Sequence, residues 1–191
     1  WWRAEQWKVA HVWLSPALMK SPQALLEESC QRSDWDSMPM LLSLVPTQLG
    51  RLLADPAGVR WLQAMALIWV GGAALPSELA AKARALGIKL APCYGSTETS
   101  AMVVAQSPER FLDGEEGVGE PLDDVELRVE ANGALAVRCG RLAIGRWKPD
   151  GDGSLASLST KPSFRPLTDA DGWWRSGDAA RLKGFAATSQ L

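Results

Sequence analysis

The sequence predicts an α/β fold in which a parallel βαβ sheet is followed by an antiparallel, β-rich part. Three observations carry this. Met65-Ala66-Leu67-Ile68-Trp69-Val70 is a continuous apolar run closed by Gly71-Gly72, the pattern of a strand buried on both faces. A helical stretch and a second short apolar run, Ile88-Lys89-Leu90-Ala91, come next. Strand, helix and strand in succession make the two strands parallel neighbours. Beyond about residue 115 the period changes: Val125, Leu127 and Val129 alternate with Glu126, Arg128 and Glu130 ahead of Asn132-Gly133, a strong signal for a tight hairpin turn.

The elements follow in order. Trp1, Trp2, Trp7, Trp13 and Trp35 show no fixed period, and large indoles at such spacing predict packing in cores and interfaces. Ser21-Pro22 opens a helix through QALLEES, with Ser as N-cap and Pro in the first turn. Pro46 opens another, with Leu49, Leu52 and Leu53 on one face. Pro76 to Leu86 is the crossover helix, and Gly87 suits the left-handed position after its end. In parallel sheets ligands bind beyond the carboxyl ends of the strands, so the loops after Val70 and Ala91 share the edge that matters. Ala134-Leu135-Ala136-Val137 returns from the Asn132-Gly133 turn, and Asp171-Gly172 makes a further turn before Trp173-Trp174. The segment GDGSLASLSTKPS is a polar loop. Residues 1–115 are therefore expected to form an α/β subdomain and 116–191 a β-rich one.

Composition narrows the function classes. With 20 basic and 22 acidic residues in 191 and no run of like charges, the chain lacks the basic face of an electrostatic nucleic-acid binder. Cys30, Cys93 and Cys139 are widely spaced and form no CxxC pair, which argues against a zinc site or disulfide framework and for a reducing, cytoplasmic setting. No apolar run reaches the roughly 18–20 residues of a membrane span. The chain begins at Trp1 without methionine and is read as a piece of a longer protein.

The chemistry concentrates in Cys93-Tyr94-Gly95-Ser96-Thr97-Glu98-Thr99-Ser100. Gly95 allows close backbone approach. Ser96, Thr97 and Thr99 offer hydroxyls to phosphate oxygens, Tyr94 offers a flat face to a purine, and Glu98 suits Mg2+. Residue chemistry alone leaves two readings open: a nucleotide-handling loop, or a strand-to-loop turn capped by its own hydroxyls. Asp178, in Trp174-Arg175-Ser176-Gly177-Asp178, is either the acceptor for a ribose diol or a turn residue. His11, the single histidine, beside Val12 and Trp13, reads as a packed side chain, and there is no G-x-S-x-G elbow for a nucleophile.

In their order, Gly71-Gly72-Ala73, Tyr94-Gly95-Ser96-Thr97-Glu98, Gly119-Glu120-Pro121 and Trp174-Arg175-Ser176-Gly177-Asp178 resemble the acyl-adenylate-forming (AMP-binding) enzymes. Within them, Ser43-Leu44-Val45-Pro46-Thr47-Gln48-Leu49, the compact Gly71-Gly72-Ala73-Ala74 and the pair Trp2-Arg3 are similar to the 2-succinylbenzoate–CoA ligases of menaquinone and phylloquinone synthesis. The resemblance implies part of the large N-terminal lobe of such an enzyme. It implies ATP with Mg2+, formation of an acyl-adenylate, and then coenzyme A as the thiol substrate. It assigns Tyr94 to adenine, Gly95 and Ser96 to the nucleotide loop, Thr97 to phosphate, Glu98 to Mg2+ and Asp178 to the ribose hydroxyls. Thr97 and Glu98 are thus the catalytic pair. Gly71, Gly72 and Ala73 would line the adenine and acyl pocket. Arg3, Ser43 and Thr47 would meet the substrate, Arg3 at its unreacted carboxylate; as a residue alone, Arg3 is equally a solvated arginine. The family's lysine-bearing phosphate loop and C-terminal lobe have no counterpart in these residues and are expected elsewhere in the same protein. Two other readings stand beside this one: a different acyl- or aryl-CoA ligase or adenylation domain, and a non-catalytic nucleotide-binding scaffold.

Overall fold

The computed structural model describes residues 5–6, 8–31, 35, 38–148 and 163–182. Trp1, Trp2, Arg3, Trp7 and most of the polar segment GDGSLASLSTKPS lie outside the described residues. The chain divides into two compact units, one running to Pro92 with Ser107–Gly117 added, the other made of Cys93–Gln106 and the residues from Val118 on. The antiparallel part thus begins well before the change of pattern read near residue 115.

In the first unit a short 3-10 helix, Pro16–Lys20, leads into α1, Pro22–Cys30. Strand β1, Met40–Leu44, is followed by α2, Pro46–Leu53, and α3, Pro56–Gln63. Pro sits in the first turn of each helix, where its missing N–H costs nothing. Gln48 reaches back to accept from the Val45 N–H at 3.0 Å, and Asp55 caps α3 through the Ala57 N–H at 2.8 Å. Strand β2, Met65–Val70, pairs parallel with β1, Ser43 opposite Trp69. Helix α4, Ser77–Ala85, ends in Gly87 at φ +65, as expected of a left-handed cap. Strand β3, Leu90–Ser96, then pairs parallel with β2 from Leu90 to Pro92. It starts two residues later than the apolar pattern suggested and runs into the polar motif itself. Helix α5, Pro108–Leu112, completes the unit.

The core of this unit is apolar: Leu49, Leu52, Leu62, Ile68, Ala83, Ile88 and Leu90 are fully buried. Trp61 is buried too; its Nε1–H donates to Ser29 Oγ at 2.9 Å, and Trp35 stacks on it at 6.3 Å. That packing was expected of the tryptophans, but Trp13 is 80% exposed. His11 is exposed as well, edge-on to Trp13 at 6.4 Å, so the packed histidine of the sequence reading is corrected. Among the described residues neither side chain is covered by another element.

In the second unit β3 continues as Cys93–Ser96 and pairs antiparallel with β4, Ala101–Ala105, which pairs with β5, Glu120–Pro121. Strands β6, Val125–Val129, and β7, Ala134–Cys139, form the expected hairpin, with Gly133 at φ +83. Strands β8, Gly145–Lys148, and β9, Ser163–Pro166, form a separate antiparallel pair. Strand β10, Trp174–Ala179, adds to β7 in the order β10-β7-β6. Val103, Val104, Val125, Leu135, Val137 and Trp174 are its core. No helix among the described residues is long and apolar enough to cross a membrane.

Candidate functional site

The second unit holds the motif that opens at Cys93. Cys93, Tyr94, Gly95 and Ser96 are the last residues of β3, and Thr97–Ser100 is the turn that reverses the chain into β4. The strand register shifts between Tyr94 and Gly95. A Cβ on Gly95 would lie 2.2 Å from the Ala101 carbonyl oxygen and 2.6 Å from Met102 Cα, so only glycine fits. The close approach that Gly95 permits is to the chain's own returning strand.

Thr99 is fully buried. Its Oγ1 accepts the Ser96 N–H at 2.9 Å and presents its one proton to two carbonyls, that of Ala101 at 2.6 Å and that of Ser96 at 3.0 Å. Thr99 therefore staples the turn and is not a ligand donor, a correction to the sequence reading. Ser100 takes the left-handed conformation at φ 56 and donates to the Arg141 carbonyl at 2.8 Å. Thr97 remains exposed. Ser96 Oγ is buried with no hydrogen bond of ordinary geometry, although it stands close enough to Glu98 to favour that carboxylate.

Glu98 is fixed at both ends. Its carbonyl accepts the Ala143 N–H at 2.8 Å, and its carboxylate pairs with the Arg146 guanidinium on β8. Its carboxyl is held below the usual range by its own backbone N–H first, then by the Ser96 hydroxyl and Arg146, against the opposing effect of burial. Arg146 was not singled out in the sequence; it stands 48 residues away, and only the position of the β8–β9 pair brings it to Glu98.

Tyr94 and Asp178, read separately in the sequence, meet. The Tyr94 hydroxyl donates to Asp178 Oδ2 at 2.6 Å. Burial, and after it the hydrogen bond to Asp178, pushes the phenol up to about 12, while Ser176 acts in the opposite direction. Ser176 Oγ accepts the Asp178 N–H at 3.1 Å and lies 3.1 Å from the Leu135 carbonyl, and Gly177 between them has φ +85. The carboxylate and the aromatic face are thus held on adjacent supports, β10 and β3.

Neighbouring motif residues do structural work. Gly119, at φ +88, would place a Cβ 2.2 Å from the Ala105 carbonyl, so it lets β5 reach β4. Arg175 is engaged with Glu130 at 2.8 Å and Asp169 at 3.2 Å. Asp169 also accepts the Trp173 N–H at 2.8 Å and so shapes the Asp171-Gly172 turn. Arg146, Arg165, Thr168, Asp169, Trp173 and Arg175 border an open cleft of ≈ 370 Å3.

In the first unit, β1 and β2 run parallel, so the turns after them leave at the same end. The Gly71 N–H donates to the Leu44 carbonyl at 3.2 Å. Gly72 and Ala73 are exposed there, as is Thr47 in the first turn of α2; Ser43 is exposed on β1. Ser43, Thr47 and Gly71-Gly72-Ala73 therefore gather at one end of the parallel strands, while Arg3 lies outside the described residues.

Among the described residues no group of three or more His, Cys, Asp or Glu assembles into a metal cage. A single carboxylate held ionised does fit Mg2+, which takes one or two carboxylates and completes its shell with phosphate oxygens and water. Glu98 meets that requirement.

Comparison with known proteins matches residues 9–140 to the AMP-binding enzyme family. The chain is 36% identical over 140 residues to the 2-succinylbenzoate–CoA ligase of Salmonella typhimurium, covering 73% of this chain and 26% of that protein. It is similar to the solved structure of wild-type E. coli MenE with a bound phenylether-linked analogue of OSB-AMS, at 29% identity and a TM-score of 0.57, over 76% of this chain and 28% of that one. It is also similar to a malonyl-CoA ligase in a ternary product complex with methylmalonyl-CoA and AMP, at 27% identity and a TM-score of 0.53, over 80% of this chain and 33% of that one. The chain thus spans about a quarter of the length of the curated relative it matches.

Proposed function

The chain belongs to the AMP-binding enzyme family, and from that premise we propose that the protein carrying it is a cytoplasmic, ATP-dependent acid–thiol ligase acting on 2-succinylbenzoate. A substrate carboxylate oxygen attacks the α-phosphorus of ATP, the acyl-adenylate forms and pyrophosphate leaves. The coenzyme A thiol then adds at the acyl carbon and AMP departs. Glu98 would hold Mg2+, which would neutralise phosphate charge there.

The observation that carries this reading is the joining of Tyr94 to Asp178 beside a turn that keeps Thr97 exposed and Glu98 ionised. In it Tyr94 takes adenine, Asp178 the ribose hydroxyls, Thr97 the phosphate, and Gly95 and Ser96 the backbone that shapes the loop. Gly71, Gly72 and Ala73 line the pocket, and Ser43, Thr47 and Arg3 meet the substrate's far end. Catalysis of this kind needs positioning and charge neutralisation more than a nucleophile. The relatives named 2-succinylbenzoate–CoA ligase support the choice of acid.

The test is substrate-dependent ATP–pyrophosphate exchange in the full-length protein, followed by thioester formation with coenzyme A. Exchange driven by 2-succinylbenzoate is expected; exchange driven only by malonate or another acid overturns the substrate. The similarity to a malonyl-CoA ligase makes malonate the specific second reading. The 191-residue chain by itself is expected to show no exchange.

A further inference from the structure

Tyr94 is a half-buried phenol whose hydroxyl ends on one oxygen of an exposed carboxylate, Asp178 Oδ2, 84 residues away in sequence. A ring that serves only to stack on a base needs no such hydroxyl partner. An exposed aspartate next to a glycine at φ +85 has, by itself, several rotamers open to it. The 2.6 Å hydrogen bond removes that freedom: with Oδ2 taken by the phenol, Oδ1 is left as the free acceptor. The backbone side is fixed as well, because the Asp178 N–H is held by Ser176 Oγ. Phenylalanine would present the same flat face to a ligand without fixing the carboxylate.

We propose that the Tyr94 hydroxyl is a positioning group, which orients Asp178 to accept from a vicinal diol and so makes the site discriminate ribonucleotides from deoxyribonucleotides. This rests on the reading of Asp178 as the ribose acceptor. The phenol is suited to the task because burial and Asp178 keep it protonated, and therefore a donor, throughout the neutral range. Adenine stacking and diol recognition are thereby linked through one side chain.

The experiment measures dissociation constants of ATP, 2′-deoxyATP and 3′-deoxyATP by calorimetry in the full-length protein, for the parent, Tyr94→Phe and Asp178→Asn. The parent is expected to prefer ATP. Tyr94→Phe is expected to shrink that preference by about 5- to 10-fold, through weaker ATP binding, with the deoxynucleotides little changed, the size of one ordinary hydrogen bond, because the carboxylate stays and only its orientation is lost. Ser176→Ala, which frees the Asp178 N–H, is expected to move the ratio the same way by a smaller factor and replaces Tyr94→Phe should that variant fail to fold. A ratio unchanged in Tyr94→Phe but abolished in Asp178→Asn overturns the proposal and leaves the nucleoside reading standing. A ratio that Asp178→Asn also leaves unchanged overturns both.

Discussion

The two units are held together by different forces. The first closes around aliphatic side chains, with Leu49, Leu52, Leu62 and Ile68 removed from water. The second has a smaller apolar core and is laced by charge: Arg138 faces Glu126 directly across β6 and β7, and Arg141 joins Asp124 at 2.7 Å while donating to the Met102 carbonyl at 3.0 Å. Arg128 and Arg138 lie over Trp173 at 4.4 and 4.7 Å. Hydrophobic burial is strong and indifferent to direction, whereas polar contacts are individually weak but fix orientation. Three groups proposed to face the nucleotide, Tyr94, Glu98 and Asp178, lie in the unit built from directional contacts. Truncation of a core side chain in the first unit should therefore cost stability, and a change to an exposed carboxylate in the second should cost recognition.

The sharpest contrast comes from Leu62→Ala against Asp178→Asn. Leu62 is fully buried, and its truncation is expected to cost about 2–5 kcal/mol of unfolding free energy through lost burial and a residual cavity. Asp178 is exposed, and its change to asparagine is expected to leave the denaturant midpoint in place while nucleotide affinity falls. Equal destabilisation by both would erase the distinction.

Gly95→Ala tests whether the site's turn is itself a packing problem. The added methyl meets backbone atoms, which have little room to give, so a cost of about 3 kcal/mol is expected together with loss of ATP binding. Gly95→Ala with stability and binding both intact would mean that β3 and β4 do not approach as described. Thr99→Val is milder: it removes the acceptor of the Ser96 N–H and the one donor that the Ser96 and Ala101 carbonyls share, an expected loss of about 2 kcal/mol by thermal or chemical unfolding. Thr99→Ser should restore most of it, because the hydroxyl and not the methyl does the work.

These residues also mark where the sequence was readable. Strand β2, helix α4 with Gly87 and the Asn132-Gly133 hairpin were legible because apolar period and turn chemistry are local. The motif around Tyr94 was legible as a polar cluster, but not in its division of labour. A threonine that staples its own turn and one that faces solvent have the same side chain, and only the buried position of Thr99 separates it from Thr97. The pairing of Tyr94 with Asp178 and of Glu98 with Arg146 brings separate sheets together across 84 and 48 residues, which no local pattern encodes. His11 and Trp13 were misread for the complementary reason: apolar character predicts burial only where another element covers it.

The smallest effect belongs to the Tyr94 hydroxyl, and pH isolates it. Tyr94 is the chain's single tyrosine. Its ionisation is pushed from the usual 10 to about 12, burial acting first and Asp178 second. The fold thus favours the neutral phenol, so the stabilisation is fully present below about pH 10 and is lost as pH rises through about 12. Between pH 6 and 9 it should contribute no slope to stability. The phenolate absorbance difference between the parent and Tyr94→Phe is expected to have its midpoint near pH 12. At neutral pH the variant should lose about 1 kcal/mol, the net worth of one hydrogen bond at a half-exposed site. A midpoint near 10 would mean that the phenol is solvated and does not hold Asp178. The directional support of the proposed site would then rest on Glu98 and its arginine.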